Sequence, residues 1–180
     1  SYISIDTEMK EIAKKIIIQI LKTEARLVLL RHRPKIVAVT GSVGKTSTKD
    51  AIIECLKSKF YTRKSDKSYN SEIGLPLTIL GLKNAWNNPY RWLWNIFFGF
   101  FVIFKIRYPQ WLVLEIGVDH PGDMRKVAEW LKTDIVVITR FSKVPVHVEY
   151  FSTPEEVNKE KSLLINTLKQ DGVLVLNRDD

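Results

Sequence analysis

The stretch Val37-Ala-Val-Thr-Gly-Ser-Val-Gly-Lys-Thr-Ser-Thr48 decides how the rest of this chain is read. A β-branched run (Ile36, Val37, Val39) ends at Thr40, a loop carries Gly41 and Gly44, and Lys45, Thr46 and Ser47 open a segment of helical periodicity. Strand, glycine loop, Lys-Thr and helix in that order form a phosphate-gripping loop. Glycines let backbone N–H groups close around an anion, the helix N-terminus adds a favourable dipole, and a lysine reaches the outer phosphates. The Thr46 hydroxyl then stands where it can hold Mg²⁺. The longer Walker A spacing would need glycine at position 39, where Val39 stands, so the loop is the shorter T-G-S-x-G-K-T form. The competing reading is a chance GxxGKT in a structural turn.

The bulk properties bound the answer. A chain of 180 residues can bury a proper core, and 45% hydrophobic with 27% charged residues is globular, not disordered. The formal charge of +8 suits an anionic partner, whether nucleotide phosphates, an acidic lipid surface or nucleic acid. No Arg-rich run or basic-aromatic ladder argues for nucleic acid, which is therefore not expected as a partner. Cys55 is the single cysteine, so no intrachain disulfide or Cys metal cluster is available, and a reducing cytoplasm is the expected location. Cys55 falls on the expected apolar face of its helix and reads as packing. No signal peptide is visible, and a start at Ser1 suggests that the natural N-terminus lies upstream.

Residues 7–31 read as one long helix, with Met9, Ile12, Ile16, Ile20, Leu27 and Leu30 at three- and four-residue steps and Asp6 as its cap. Core packing is the plainer reading of that stripe; membrane or dimer contact is the other. After the glycine loop a helix is expected at about 46–58 with Ala51, Ile52, Cys55 and Leu56 on one face. A short strand at Phe60–Thr62 and a basic loop at Arg63–Tyr69 follow. In Asn70–Leu80 (NSEIGLPLTIL), Gly74 and Pro76 predict a turn, with Asn70 and Glu72 supplying polar groups near it.

Asn88-Pro89 predicts a helix start, and Tyr90–Phe104 is almost wholly apolar and aromatic. Its helix covers only about 20 Å, too short to span a bilayer. Two readings stay open: a buried helix capping the domain, or a peripheral membrane anchor flanked by Lys105 and Arg107. Trp111–Ile116 is a strand that delivers Glu115 to its end. A carboxylate there is unfavourable unless paired or bound to a metal, and strand C-terminal ends converge on the ligand crevice of an α/β sheet. Glu115 therefore reads as a Walker-B-like acid, against the plainer reading of a surface glutamate. Asp119–Asp123 turns the chain into a helix with Met124, Val127, Ala128 and Leu131 inward, and Asp134–Thr139 is a further buried strand. Thr153-Pro154-Glu155-Glu156 is a capped helix start, with Val157, Leu164, Ile165 and Leu168 inward. Lys161 falls on that same apolar face, where it either snorkels to solvent or serves a site. Asp171-Gly172 predicts a turn before a last strand, Val173–Leu176.

The glycine loop resembles the ATP loop of the Mur ligase superfamily, the ATP-dependent amide ligases of peptidoglycan precursor synthesis and their folylpolyglutamate and cyanophycin relatives. NSEIGLPLTIL is similar to the N-N-E-I-G-x-P-L-T-L-L stretch of the branch that adds D-alanyl-D-alanine, with Ser71 in place of the second Asn. LEIGVDHPGDM resembles that family's M-E-M-G-x-x-x-P-G-D/E-I. RFSKVPVHVEYFST resembles T-N-I-G-x-A-H-L-E-x-F-G-S, two residues longer between Thr139 and His147 and with Arg140 replacing Asn. NKEKSLLI is similar to A-K-A-K-G-E-I, which aligns Lys161 with a lysine carbamylated in several members, and VLNRDD resembles V-L-N-A-D-D. Taken together, these place residues 35–180 as the central ATP-binding domain, α/β with a mainly parallel, P-loop NTPase-like sheet flanked by helices and incomplete at its C-terminal end. Residues 1–34 stand apart as an N-terminal amphipathic helix, and an aromatic helical insertion at about 84–108 is foreign to the family.

The resemblance implies ATP and Mg²⁺ as cofactors, with Thr40, Gly41, Ser42, Gly44, Lys45, Thr46, Ser47 and Asn70 binding nucleotide. Lys45, Glu115, His147 and Lys161 would be the catalytic set, and Thr46, Glu115, His147 and carbamylated Lys161 the metal-site residues. It further implies that a UDP-muramoyl-peptide-like carboxylate is activated as an acyl phosphate and attacked by the amine of an amino acid or dipeptide. The isolated chain, lacking the family's other domains, is expected to ligate nothing. Two rivals are a membrane-associated P-loop module without ligase activity and an unrelated P-loop kinase.

Overall fold

The structure is a computed structural model that describes residues 2–65, 71–86, 88–141 and 150–178. Five parallel strands form one sheet in the order β2-β3-β1-β4-β5. They are β1 (Lys35–Thr40), β2 (Thr62–Lys64), β3 (Trp111–Glu115), β4 (Thr133–Ile138) and β5 (Leu168–Leu176). The helices are α1 (Tyr2–His32), α2 (Lys45–Lys57), α3 (Ser71–Leu80), α4 (Pro89–Val102), α5 (Asp123–Ala128) and α6 (Pro154–Ser162), which tightens into a 3-10 turn at Leu163–Thr167. The expected parallel α/β sheet is therefore present.

Strands buried on both faces need a continuous apolar run, and β1 supplies one from Ile36 to Val39. Its odd positions Val37 and Val39 meet Ile53 of α2, Val113 and Val137 on one face. Its even positions Ile36 and Ala38 join Leu112, Leu114, Val136 and Ile138 beneath α1, α3 and α5 on the other. β1 connects outward through α2 to β2, whereas the chain leaves β3 for β4 on the opposite side of β1. The crevice at such a reversal opens at the C-terminal ends of β1 and β3.

Several expectations need correction. The helix α1 runs back to Tyr2, so Asp6 lies inside it and is not its cap. Its buried face is Leu21, Glu24, Ala25 and Val28, while Met9, Ile12, Ile16, Leu27 and Leu30 are exposed. Apolar residues lie almost all round its middle, and packing against α3 and α4 selects the stripe that is buried. Cys55 is exposed, and α2 turns Lys49 and Ile53 inward instead. The strand β2 starts at Thr62, two residues later than expected. No turn forms at Gly74 and Pro76, because α3 passes straight through both. Residues 74–80 are buried on every side of α3, so packing outweighs the helix-breaking tendency of Gly and Pro. The 3-10 turn puts Lys161, Leu164 and Thr167 in register at three-residue steps and rotates Ile165 out to 37% exposure. Asp171-Gly172 lies within β5, in the irregularity where Leu168 to Val173 is set against Thr133 to Ile135.

Asn88 caps α4 as expected, its side chain accepting from the Arg91 N–H at 3.0 Å. The buried-helix reading of α4 is not what the structure shows. Only Trp92, Ile96, Gly99, Val102 and Ile103 face the core; the other aromatics point outward. Gly99 lies where α4 crosses α1, and a methyl there would push the Glu24 carboxylate aside.

Glu24 sits in that apolar seam, 7% exposed, and its Oε2 has no hydrogen-bond partner. Burial pushes its carboxyl up from 4.5 to about 7. The folded chain therefore holds a proton that the unfolded chain releases, and stability falls as pH rises from 4.5 through about 7. Glu24→Gln is expected to remove that slope and to raise stability near pH 8 by about 1–3 kcal/mol, measured by urea unfolding at several pH values. An unchanged slope in the variant would show that Glu24 is solvated.

Candidate functional site

The glycine loop sits at the crevice, and its shape follows from its glycines. Gly41 has φ +139° and Gly44 +84°, a region that L side chains rarely adopt. A methyl on Gly41 would overlap Thr139 Oγ1, so the loop reaches the end of β4 only with glycine there. Thr40 is fully buried, and its carbonyl accepts from Thr139 N at 2.9 Å and Thr139 Oγ1 at 3.1 Å. Ser42 and Val43 donate their N–H groups to the Arg140 carbonyl at 2.8 and 3.3 Å. Two edges of the loop are thus clamped to the segment after β4. The remaining N–H groups belong to the start of α2, whose N-cap Gly44 offers no side-chain cap. The space a Cβ on Gly44 would fill is open. An uncapped helix N-terminus beside open space is a ready anion site.

Glu115, at the end of β3 beside Val39, is 3% exposed and faces α2. Thr46 Oγ1 lies 3.1 Å from each of its carboxylate oxygens. Lys49 Nζ is 3.3 Å from Glu115 Oε2 and donates to the Ser65 carbonyl at 2.9 Å. Ser65 Oγ in turn accepts from the Glu115 N–H at 3.0 Å. The buried carboxylate is thus held by an ammonium, a hydroxyl and a fixed backbone, as a buried charge requires. Lys49 and Ser65 were missed in the sequence. Lys49 carried a usable signal, because it shares a helix face with Ile53 and Leu56 and is 1% exposed.

Lys161 is buried, not snorkelling, and its Nζ donates to Ser42 Oγ at 3.1 Å. Burial, with a smaller contribution from nearby Lys45, lowers its amine to about 8. The structure thus brings Gly41, Ser42, Gly44, Lys45, Thr46, Glu115 and Lys161 to one end of the sheet. Ser47 is exposed in the first turn of α2. Asn70, His147 and Glu149 lie outside the described residues.

Among the described residues no three His, Cys, Asp or Glu side chains gather as a metal site. One carboxylate and one hydroxyl, Glu115 and Thr46, are nevertheless the donor set that suits Mg²⁺, which keeps several waters and takes its other oxygens from phosphates. The residues present fit that ion.

A parallel sheet whose first strand feeds a glycine loop, with a buried acid from the next strand behind it, defines an α/β domain organised around an anion site. The Mur ligase middle domain matches this chain over residues 39–90 and 101–180, and the chain belongs to that family. The UDP-N-acetylmuramoyl-tripeptide–D-alanyl-D-alanine ligase of Borreliella burgdorferi is 31% identical over 161 residues, covering 89% of this chain. The Bacillus subtilis enzyme of the same name is 28% identical over 160 residues. Among solved structures, the MurF ligase of Thermotoga maritima in complex with ADP superposes with TM-score 0.68 and 26% identity, over 91% of this chain and 32% of that one. The Acinetobacter baumannii MurF shares the fold at TM-score 0.67 and 19% identity, over 88% of this chain and 30% of that one. This chain spans only 29–30% of the length of the two curated relatives. These relatives lend no support to either rival reading.

Proposed function

We propose that this chain is the ATP-binding part of an ATP-dependent amide ligase of peptidoglycan-precursor type, acting in the cytoplasm. The observation that carries the reading is the convergence of Lys45, Thr46 and Glu115 beside the uncapped N-terminus of α2. The relatives' names and the ADP complex of one of them support it.

On this reading the α2 N-terminus and Gly44 cradle the nucleotide phosphates as a P-loop, and Lys45 reaches the terminal phosphate. Thr46 and Glu115 would hold Mg²⁺, which when bound would supply positive charge against the phosphates. A muramoyl-peptide carboxylate oxygen attacks the terminal phosphorus of ATP, the bond to ADP breaks, and an acyl phosphate forms. The amine of D-alanyl-D-alanine then attacks the acyl carbon, phosphate leaves, and the amine proton goes to solvent or a base. Catalysis in such a site is positioning and charge neutralisation. Lys161 as a carbamate would place an anion beside the glycine loop for a second metal, and His147 and Asn70 complete the set by family resemblance.

The test uses the intact protein with a carboxylate labelled by heavy oxygen. Transfer of label into inorganic phosphate, with amide formed one-for-one with ADP, supports the acyl phosphate. ADP formation that leaves the label in the carboxylate, with phosphate on a hydroxyl product, would return the kinase reading.

A further inference from the structure

The outward face of α4 is not explained by the ligase reading. Trp94, Phe97, Phe98, Phe100, Phe101 and Phe104 are each 49–57% exposed. Their rings touch in an unbroken series, Trp94 with Phe98 at 5.3 Å, Phe97 with Phe101 at 4.8 Å and Phe100 with Phe104 at 5.3 Å between centroids. At about 100° per residue these positions cover roughly 160° of the helix, along most of its length. So continuous an aromatic ridge marks an interaction surface. Trp94, Phe97, Phe98 and Phe100 fall in the one internal segment, residues 91–100, that the family match leaves out, and Phe101 and Phe104 lie just beyond it.

Charge identifies the occupant. Between residues 83 and 114 the chain carries Lys83, Arg91, Lys105 and Arg107 and no Asp or Glu. All four cations are exposed, with Arg91 near one end of α4 and Lys105 and Arg107 just beyond the other. A second copy packed antiparallel on this ridge would bring Arg91 against Lys105 and Arg107 with no acid between them, which disfavours self-association. Phospholipid headgroups of negative charge satisfy those cations, while the interfacial zone receives Trp and Phe rings.

We propose that α4 is a peripheral membrane-binding element that lies flat on an anionic phospholipid surface, its aromatic ridge in the headgroup–acyl boundary and its flanking cations on lipid phosphates. Lying flat follows from the ridge running along the helix. Crossing is ruled out by length, since no described helix is long and apolar enough to span a bilayer.

The test is flotation of the intact protein with vesicles of phosphatidylcholine alone or with roughly 30% phosphatidylglycerol, comparing wild type with Phe97→Ser/Phe101→Ser. Both substitutions are on exposed positions, so melting temperature and nucleotide binding should not change. The expected result is flotation with phosphatidylglycerol vesicles only, a blue shift of tryptophan emission, and at least about tenfold weaker binding in the variant. Flotation equal in wild type and variant would overturn the proposal, because net charge alone would then explain it. Binding indifferent to lipid charge, or no flotation of the folded protein up to about 1 mM lipid, would also overturn it. Self-association abolished by the same variant, without lipid binding, would assign the ridge to a second copy instead.

Discussion

Lys45→Ala is expected to abolish measurable Mg²⁺·ATP binding while leaving the fold intact. Lys45 is the first residue of α2, half-buried at the mouth of the crevice, with no carboxylate at ion-pair distance among the described residues. No described carboxylate competes for its ammonium, which on the proposed reading is available to a phosphate. Two charge-assisted hydrogen bonds to phosphate oxygens are worth about 3 kcal/mol or more, so the dissociation constant should rise by at least roughly 100-fold. Stability should stay within about 0.5 kcal/mol, as for other substitutions away from the core. The change also removes a like charge that lowers the Lys161 amine, so Lys161 should titrate higher in the variant. Calorimetry with ATP and Mg²⁺, alongside thermal melting, separates the outcomes. Nucleotide binding within about threefold of wild type would mean that the loop is not a phosphate site. Lost binding together with lost folding would mean that Lys45 holds the loop itself.

What the sequence disclosed and what it hid divide along a physical line. The path from β1 through the glycine loop into α2 was legible because its signals are local: a β-branched run, glycines at backbone positions with positive φ, and a helix opening on Lys-Thr. Glu115 was legible because an acid ending an apolar strand conflicts with its surroundings unless a site resolves the conflict. Lys161 was legible by the same logic, and the structure buries it with its amine on Ser42 Oγ. The failures are where long-range packing overrode local preference. Gly74 and Pro76 carry turn signals, but α3 is enclosed on all sides and stays helical. The apolar middle of α1 offered more than one stripe, and only contact with α3 and α4 chose Leu21, Ala25 and Val28. Cys55 was assigned to the wrong face of α2, and Lys49 was missed, for the same reason: the helix is rotated by what it packs against. A lysine at an inward position was the conflict that should have been read as a signal.

Lys49→Met should be among the most destabilising single changes in the chain, by roughly 3–5 kcal/mol, because it takes the paired ammonium away from the buried Glu115 carboxylate. At this chain length that corresponds to a melting temperature lower by roughly 6–20 °C. The argument rests on three contacts closing around one carboxylate: Lys49 Nζ at 3.3 Å, Thr46 Oγ1 at 3.1 Å, and Ser65, which fixes the Glu115 backbone while taking a second bond from Lys49. Both side chains of the ion pair are almost wholly excluded from water, at 2% and 1% exposure, so solvent cannot replace a lost partner. Removing both charges should therefore be less harmful than removing one. Lys49→Met/Glu115→Leu is expected to recover most of the stability, with a coupling energy of at least about 3 kcal/mol in the double-mutant cycle. The same double variant should not regain Mg²⁺·ATP binding, since on the proposed reading it lacks the carboxylate for the metal. Stability and ligand binding should part company in that one protein, which separates Lys49 as a positioning residue from Glu115 as the proposed metal ligand. Unfolding in urea and calorimetry on the four proteins of the cycle measure both. Single changes that add to within about 0.5 kcal/mol would show that the two charges act independently, and Lys49 would then be only a buried cation tied to the Ser65 carbonyl.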